Sequence, residues 1–258
     1  MPIRIEASLN YSFPAATDVL LQLEAAIIPE QLVQDAKLDM SECAHFARVP
    51  GHDGIGERIW LRVEGNLTVA YRANVHVNRI LGNIGAMPAV PTHQLPGETV
   101  DYLMPSRYCP SDQFMPFVDA EFAGLEGGAR VAAMRDWIAS HIAYVPGASS
   151  RDTTAIDTFV RRQGVCRDYA HLLVTQSRAA AIPARVASVY APAIEPPDFH
   201  AVAEIFLGGE WHLVDATGMA KEADMVKIGV GRDAADIAFL TAYGDAIMNE
   251  QRVFVVVE

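Results

Sequence analysis

The sequence predicts an α+β protein: a β-rich N-terminal half, then helices packed on an antiparallel sheet. Three observations carry this. Apolar and polar residues alternate in "IRIEASLNYSF" and "RIWLRVEGNLTVAYRANVHV" near the start of the chain, the period of half-buried strands. From Gly127 to about Ala181 the apolar residues recur at helical spacing. Strand-like runs then return to the end of the chain, and helices followed by strands, without βαβ alternation, indicate α+β. The division falls at 1–115 for a β-rich N-terminal domain and 116–258 for the α+β unit.

Each element has a local cause. Glu64-Gly65-Asn66 reads as a hairpin turn between two strands. Residues 81–118 carry six prolines and little periodicity, which suits a connecting segment over the surface with a short helix near Gln113. Val131, Met134, Ile138 and Ile142 mark the first long helix. A short helix follows from Thr154, with Asp157 as its capping-box partner and Gly164 as the residue past its end. The next helix begins at Cys166 and runs to Ala181, because Pro183 prevents continuation. "ARVASVYAP", "FHAVAEIFL", "EWHLVDAT" and "QRVFVVVE" read as strands, the middle two joined by a Gly208-Gly209 turn.

Composition narrows the function. An apolar fraction of 51% and a charged fraction of 20% describe a folded chain. Its net charge of −12 argues against nucleic acid or an anionic membrane as a partner, since both attract basic patches. The alternating N-terminus has no basic stretch followed by an apolar one, and no run is long enough to cross a bilayer. Three scattered cysteines, Cys43, Cys109 and Cys166, suit a reducing compartment without a disulfide framework, so a cytoplasmic location is expected.

Cys166 stands out by position. At a helix N-terminus it faces unpaired backbone N–H groups and the positive end of the dipole, and both favour thiolate, the nucleophilic form. The competing reading is a buried structural thiol. A nucleophile needs a base, and the hairpin geometry selects one among eight histidines. If Gly208 and Gly209 form a two-residue turn, Leu207 pairs with Glu210 and Asp215 falls opposite Val202. Strand side chains alternate, so Asp215 is the diagonal neighbour of His200 on one face, while His212 points to the other. Cys166, His200 and Asp215 then form a candidate triad, with His200 as base and acid and Asp215 holding its tautomer. His171 lies roughly 140° round the helix from Cys166 and should not reach the thiol.

With these residues in place, "GVCRDYAHLLVTQSRAAAIPARVASVY" and "FHAVAEIFLGGEWHLVDAT" resemble the bacterial transglutaminase-like superfamily, whose members are often described as cysteine proteases. The resemblance implies a papain-like core with Cys166 as nucleophile and His200 and Asp215 on adjacent strands. The β-rich first half, including "DYLMPSRYC", is similar to the N-terminal region that accompanies this core. The chain departs from the family pattern at Ala181, where glycine is usual, and at Val202, where tryptophan is common. The Cys166 amide is the expected oxyanion donor, with Tyr144 and Gln163 as candidates for the second. Asp168 is expected to stabilise the helix start, Arg185 to anchor a strand by an ion pair, and Trp211 to lie in the core or cleft wall.

The chemistry implied is thiol-dependent cleavage of a peptide, protein or small amide substrate through a thioester, with no cofactor and no metal. Acyl transfer to an amine is the alternative reaction. Two other classes compete: a metal site using His200, His212 and Asp215, disfavoured because the strand faces separate His212, and a peptide-binding module with a relic triad. Oligomeric state is not legible in the sequence.

Overall fold

The computed structural model describes residues 1–258. The first half is a six-stranded antiparallel sheet built around two long strands. β1 (Ile3–Leu21) is followed by β2 (Gln31–Met40), β3 (His45–Pro50) and β4 (Glu57–Val77), with β1, β2 and β3 all pairing to β4. Ile3, Ile5, Ala7, Leu9, Tyr11 and Phe13 alternate inward along β1, each large one contributing about 1.5–3 kcal/mol by burial.

The hairpin expected at Glu64-Gly65-Asn66 does not form; β4 runs through it as one strand. The irregularity lies in its partner, where the register steps from Phe13↔Gly65 to Thr17↔Val63. Pro14 cannot donate to the ladder, so β1 loops out at residues 14–16. Gly65, at φ +78°, supplies the left-handed backbone that the kinked strand needs.

The segment after β4 crosses the surface in short turns and enters α1 (Met115–Glu121), then α2 (Gly127–His141). β5 (Ala143–Tyr144) pairs in parallel with β6 (Gln163–Gly164), and α3 (Ala155–Arg161) lies between them. The Thr154–Asp157 capping box is present. The left-handed residue that ends α3 is Arg162, at φ +57°, not Gly164, whose missing side chain serves the following helix.

α4 (Cys166–Ala179) is the central helix, with every residue from Asp168 to Arg178 buried. Its buried guanidinium makes four hydrogen bonds: Arg178 donates to the carbonyls of Ala184, Met104 and Arg232 and to Ser106 Oγ, at 2.6–3.1 Å. The helix ends in a Schellman motif, the Ile182 N–H donating to Ser177 O at 3.0 Å and the Ala181 N–H to Arg178 O at 2.9 Å. Ala181 therefore sits at φ +57°, where its Cβ is unfavourable.

β7 (Ala184–Tyr190), β8 (His200–Leu207), β9 (Glu210–Val214) and β10 (Val226–Gly231) form the second sheet, in the order β10-β7-β8-β9. Leu207 pairs with Glu210 and Ala203 with Val214, the register of a two-glycine turn. The chain then makes α5 (Ala234–Ile237), β11 (Leu240–Ala242) and β12 (Ile247–Val257). Chain order alone puts the last strand with the helical unit, in the 116–258 half. It hydrogen-bonds instead along β1, from Ile3↔Val257 to Ser12↔Ile247, and β11 also pairs with β1.

A buried ionic cluster joins the two sheets. Glu204 on β8 is fully buried, with Arg185 Nε at 2.6 Å and Lys227 Nζ at 2.5 Å. Arg185 also reaches Asp53 at 2.6 Å, and Lys227 reaches Glu30 at 2.7 Å. Both acceptors belong to the N-terminal half. Burial pushes the Glu204 carboxyl up, but Lys227 and then Arg185 hold it below the usual range.

Two outcomes follow for urea unfolding. Ala181→Gly should raise stability by about 1 kcal/mol, because the exposed Ala181 loses little packing and a left-handed strain of that size is relieved. Glu204→Gln should cost about 3–5 kcal/mol, since it leaves two buried cations short of a counter-charge. The Glu204 pKa is depressed in the folded state, so the wild-type advantage is present above the ordinary carboxylate value and is lost as pH falls through the depressed one.

Candidate active site

The start of α4 is fixed by a buried carboxylate. Asp168 Oδ2 accepts the Val165 N–H at 2.8 Å, while Oδ1 accepts from Ser149 Oγ at 2.9 Å and Arg167 Nη2 at 3.3 Å. A Cβ on Gly164 would lie 2.7 Å from Asp168 Cβ and 2.9 Å from Oδ2, so the carboxylate can fold over the backbone here only at glycine. Cys166, half-buried, is the first residue of the helix. Its amide is one of those the helix leaves unpaired.

His200 is the first residue of β8, pairing with Val189. Its Nε2–H donates to Asp215 Oδ2 at 3.0 Å, both side chains being almost fully buried. Asp215 follows the end of β9 and is braced in turn: Oδ1 accepts the Thr217 N–H at 2.8 Å and hydroxyl at 2.7 Å, and Oδ2 accepts the Ala220 N–H at 2.9 Å. With Nε2 committed to Asp215, Nδ1 is the ring nitrogen left for a further partner, and Cys166 lines the same cleft as His200. Burial alone would lower the imidazole, but the Asp215 hydrogen bond and then the thiol outweigh it, and His200 is pushed up to about 9. Burial likewise pushes Asp215 up, and the His200 hydrogen bond and charge, with Thr217 and Ala220, hold it below the usual carboxylate range.

The parallel bridge between β5 and β6 places the two oxyanion candidates on neighbouring strands. Tyr144 is opposite Gly164, two residues before Cys166. Burial, then the thiol, pushes that phenol up to about 12. Gln163 is opposite Ala143 and exposed, and its side chain does not line the cleft.

The remaining sequence candidates have other roles. His171 is fully buried, its Nε2 accepting the Ala234 N–H at 3.1 Å and its ring stacked on Tyr108 at 5.3 Å. Burial lowers it to about 3, so it stays a neutral brace. Arg185 is ion-paired and lies 4.0 Å over the Trp211 ring, which places Trp211 beside the ionic cluster and outside the cleft. His212 donates to the Leu207 carbonyl at 3.3 Å, away from the His200–Asp215 pair.

A cleft of 700 Å³ opens over Cys166 and His200. Its far wall is made by residues 234–243, which lead into the N-terminal sheet, and includes Ile237, Phe239, Leu240 and Tyr243. Asp198, two residues before His200, also lines the cleft, its Oδ1 accepting the Phe199 N–H at 2.7 Å and a bond from Gln251. Sequence reasoning missed Asp198 and this wall; only the proximity of Asp198 to His200 in the chain hinted at the former.

The model of the transglutaminase-like superfamily matches residues 122–216, ending one residue after Asp215. The crystal structure at 1.9 Å of a candidate cysteine protease from Cytophaga hutchinsonii aligns with 99% of this chain and 90% of that one. The TM-score is 0.92 and the identity 31%. Uncharacterized protein ML0607 of Mycobacterium leprae is 28% identical over 148 residues, 54% of this chain and 53% of that protein, so the match spans about half the length of that relative. The periplasmic domain of TgpA from Pseudomonas aeruginosa aligns with 82% of this chain and 76% of that domain, at 18% identity and a TM-score of 0.42. A family match over the central helix and the His–Asp strands, with a fold shared almost end to end at 31% identity, makes this chain a member of the transglutaminase-like superfamily.

Proposed function

We propose that the protein is a cysteine-dependent hydrolase of peptide or amide bonds, working through Cys166, His200 and Asp215. The observation that carries this reading is the single cleft lined by the helix-start thiol and by an imidazole that a buried aspartate holds at 3.0 Å. The thiolate attacks the substrate carbonyl, and the developing oxyanion is met by the Cys166 N–H and the Tyr144 hydroxyl. The His200 imidazolium gives its Nδ1 proton to the leaving amine, and a thioester remains on Cys166. Water then attacks with His200 as base, releasing the acid. Asp215 keeps the imidazole oriented and favours its charged form.

Hydrolysis is preferred over transfer to an amine because the cleft is open to water. Arg151, 94% exposed, lines it together with Cys166. Three free cysteines support a reducing, cytoplasmic setting. No helix is long and apolar enough to cross a membrane. The substrate expected is a peptide or protein segment, or a small amide.

The first test is alkylation of Cys166 by iodoacetamide at pH 6.5, followed by peptide mapping. His200→Ala should slow labelling by about tenfold or more, as an imidazolium partner is lost. Labelling indifferent to His200 would leave a relic triad in a binding module as the better reading. Tyr144→Phe should lower turnover of p-nitrophenyl acetate by about 10²-fold, with a far smaller effect on alkylation, which builds no oxyanion. Stability tests the charged pair independently. His200 is raised to about 9, so its contribution is fully present below its ordinary value and lost as pH rises through 9; that of Asp215, which is depressed, is lost as pH falls through its lowered value. The urea midpoint of the wild type should therefore exceed that of Asp215→Asn most between these limits, and the gap should close above pH 9.

A further inference from the structure

The net charge of −12 would repel an anionic substrate at long range. At physiological salt, however, fields decay over about 8 Å, so local charges in the cleft decide what it accepts. The cleft carries three guanidiniums, Arg107, Arg151 and Arg167, against one carboxylate, Asp198. Arg167 is consumed internally: its Nη2 contacts Ser149 Oγ at 2.5 Å, the Ser150 carbonyl at 2.6 Å and Asp168 at 3.3 Å.

Arg107 and Arg151 are different. They share one counter-charge, the exposed Asp152, at 3.7 and 3.8 Å, beyond hydrogen-bond length. Arg107 rests over the Tyr108 ring at 5.0 Å, which holds its charge beside the cleft. Much of the remaining lining is apolar, with Phe199 and Phe239 stacked at 4.6 Å and Leu240 and Tyr243 also lining the cleft. The cleft thus combines two weakly paired cations with aromatic and aliphatic side chains.

From this we infer that the cleft selects acyl substrates bearing a carboxylate next to an apolar side chain, with Arg107 and Arg151 as specificity-determining residues. The inference rests on the thiol-hydrolase reading for the identity of the reacting group, but its test does not require turnover. Planar guanidiniums bind carboxylates in a forked geometry, and the apolar wall supplies the burial that a charged group alone would not. The carboxylate can belong to an acidic side chain or to a chain terminus.

Iodoacetate and iodoacetamide alkylate a thiolate by the same displacement of iodide and differ in the negative charge. The ratio of their rates at Cys166, normalised to N-acetylcysteine amide, reads the field in the cleft while a general change in thiol reactivity cancels. The ratio should exceed the reference, fall roughly threefold on Arg107→Gln or Arg151→Gln and about tenfold in the double variant. It should also fall in 1 M NaCl and rise on Asp198→Asn. Both arginines are exposed, at 64% and 94%, so the variants should fold. A ratio equal in wild type and double variant would overturn the inference. Slow labelling by both reagents, insensitive to His200→Ala, would instead sink the hydrolase reading, and the ratio would still judge the arginines. Protection of Cys166 from iodoacetamide by N-acetylphenylalanine would assign the carboxylate to a terminus. Protection by N-acetylated, amidated Phe-Glu would assign it to a side chain, and equal protection by N-acetylphenylalaninamide would count against both.

Discussion

Glu204 is a carboxylate with no access to water, placed in the middle of the strand that His200 begins. A buried charge of this kind must be matched within the protein, and its partners Arg185 and Lys227 come from the two strands β7 and β10. Those cations in turn draw in Asp53 and Glu30 from the N-terminal half. The pairing leaves little freedom in how the two sheets meet. Shifting β8 by one residue would turn Glu204 to the other face and strand both cations. The same shift would part His200 from Asp215, so the register that satisfies the cluster also builds the site.

The N-terminal sheet is then a working part of the enzyme as proposed. Gln251 on β12 donates to Asp198 Oδ1, and Phe199 stacks on Phe239, so the loop before His200 is seated by the strands that pair with β1. His171 contributes from the other side: by accepting the Ala234 amide it holds the start of α5, whose residues line the cleft. A histidine kept neutral in the core thus positions a wall for a histidine kept charged at the surface of the cleft.

Much of the His–Asp geometry was legible because a two-glycine turn leaves one register, and alternation does the rest. The helix start at Cys166 was legible because a helical apolar run begins there with Asp168 in its first turn; that Gly164 makes room for the Asp168 carboxylate was not. Other features had no local signal. Pro14 and Gly65 are far apart in the chain, so the loop-out in β1 could be mistaken for a turn in β4. The separation of Tyr144 from Gln163 depends on a two-residue parallel bridge, and short bridges have no periodicity to read. Asp198 and the 234–243 wall are defined by tertiary contacts alone.

The pairing of β1 with β12 joins segments from the two ends of the sequence, Ile3 with Val257 at its extreme. Contacts so distant along the chain are slow to close, and synthesis proceeds from the N-terminus. Cys166 and α4 therefore emerge from the ribosome well before β11, which carries part of the cleft wall, and β12, whose Gln251 holds Asp198. The nascent chain can own a thiol and an imidazole without owning a substrate cleft. Assembly order thus places completion of the cleft after the thiol and the imidazole are already made.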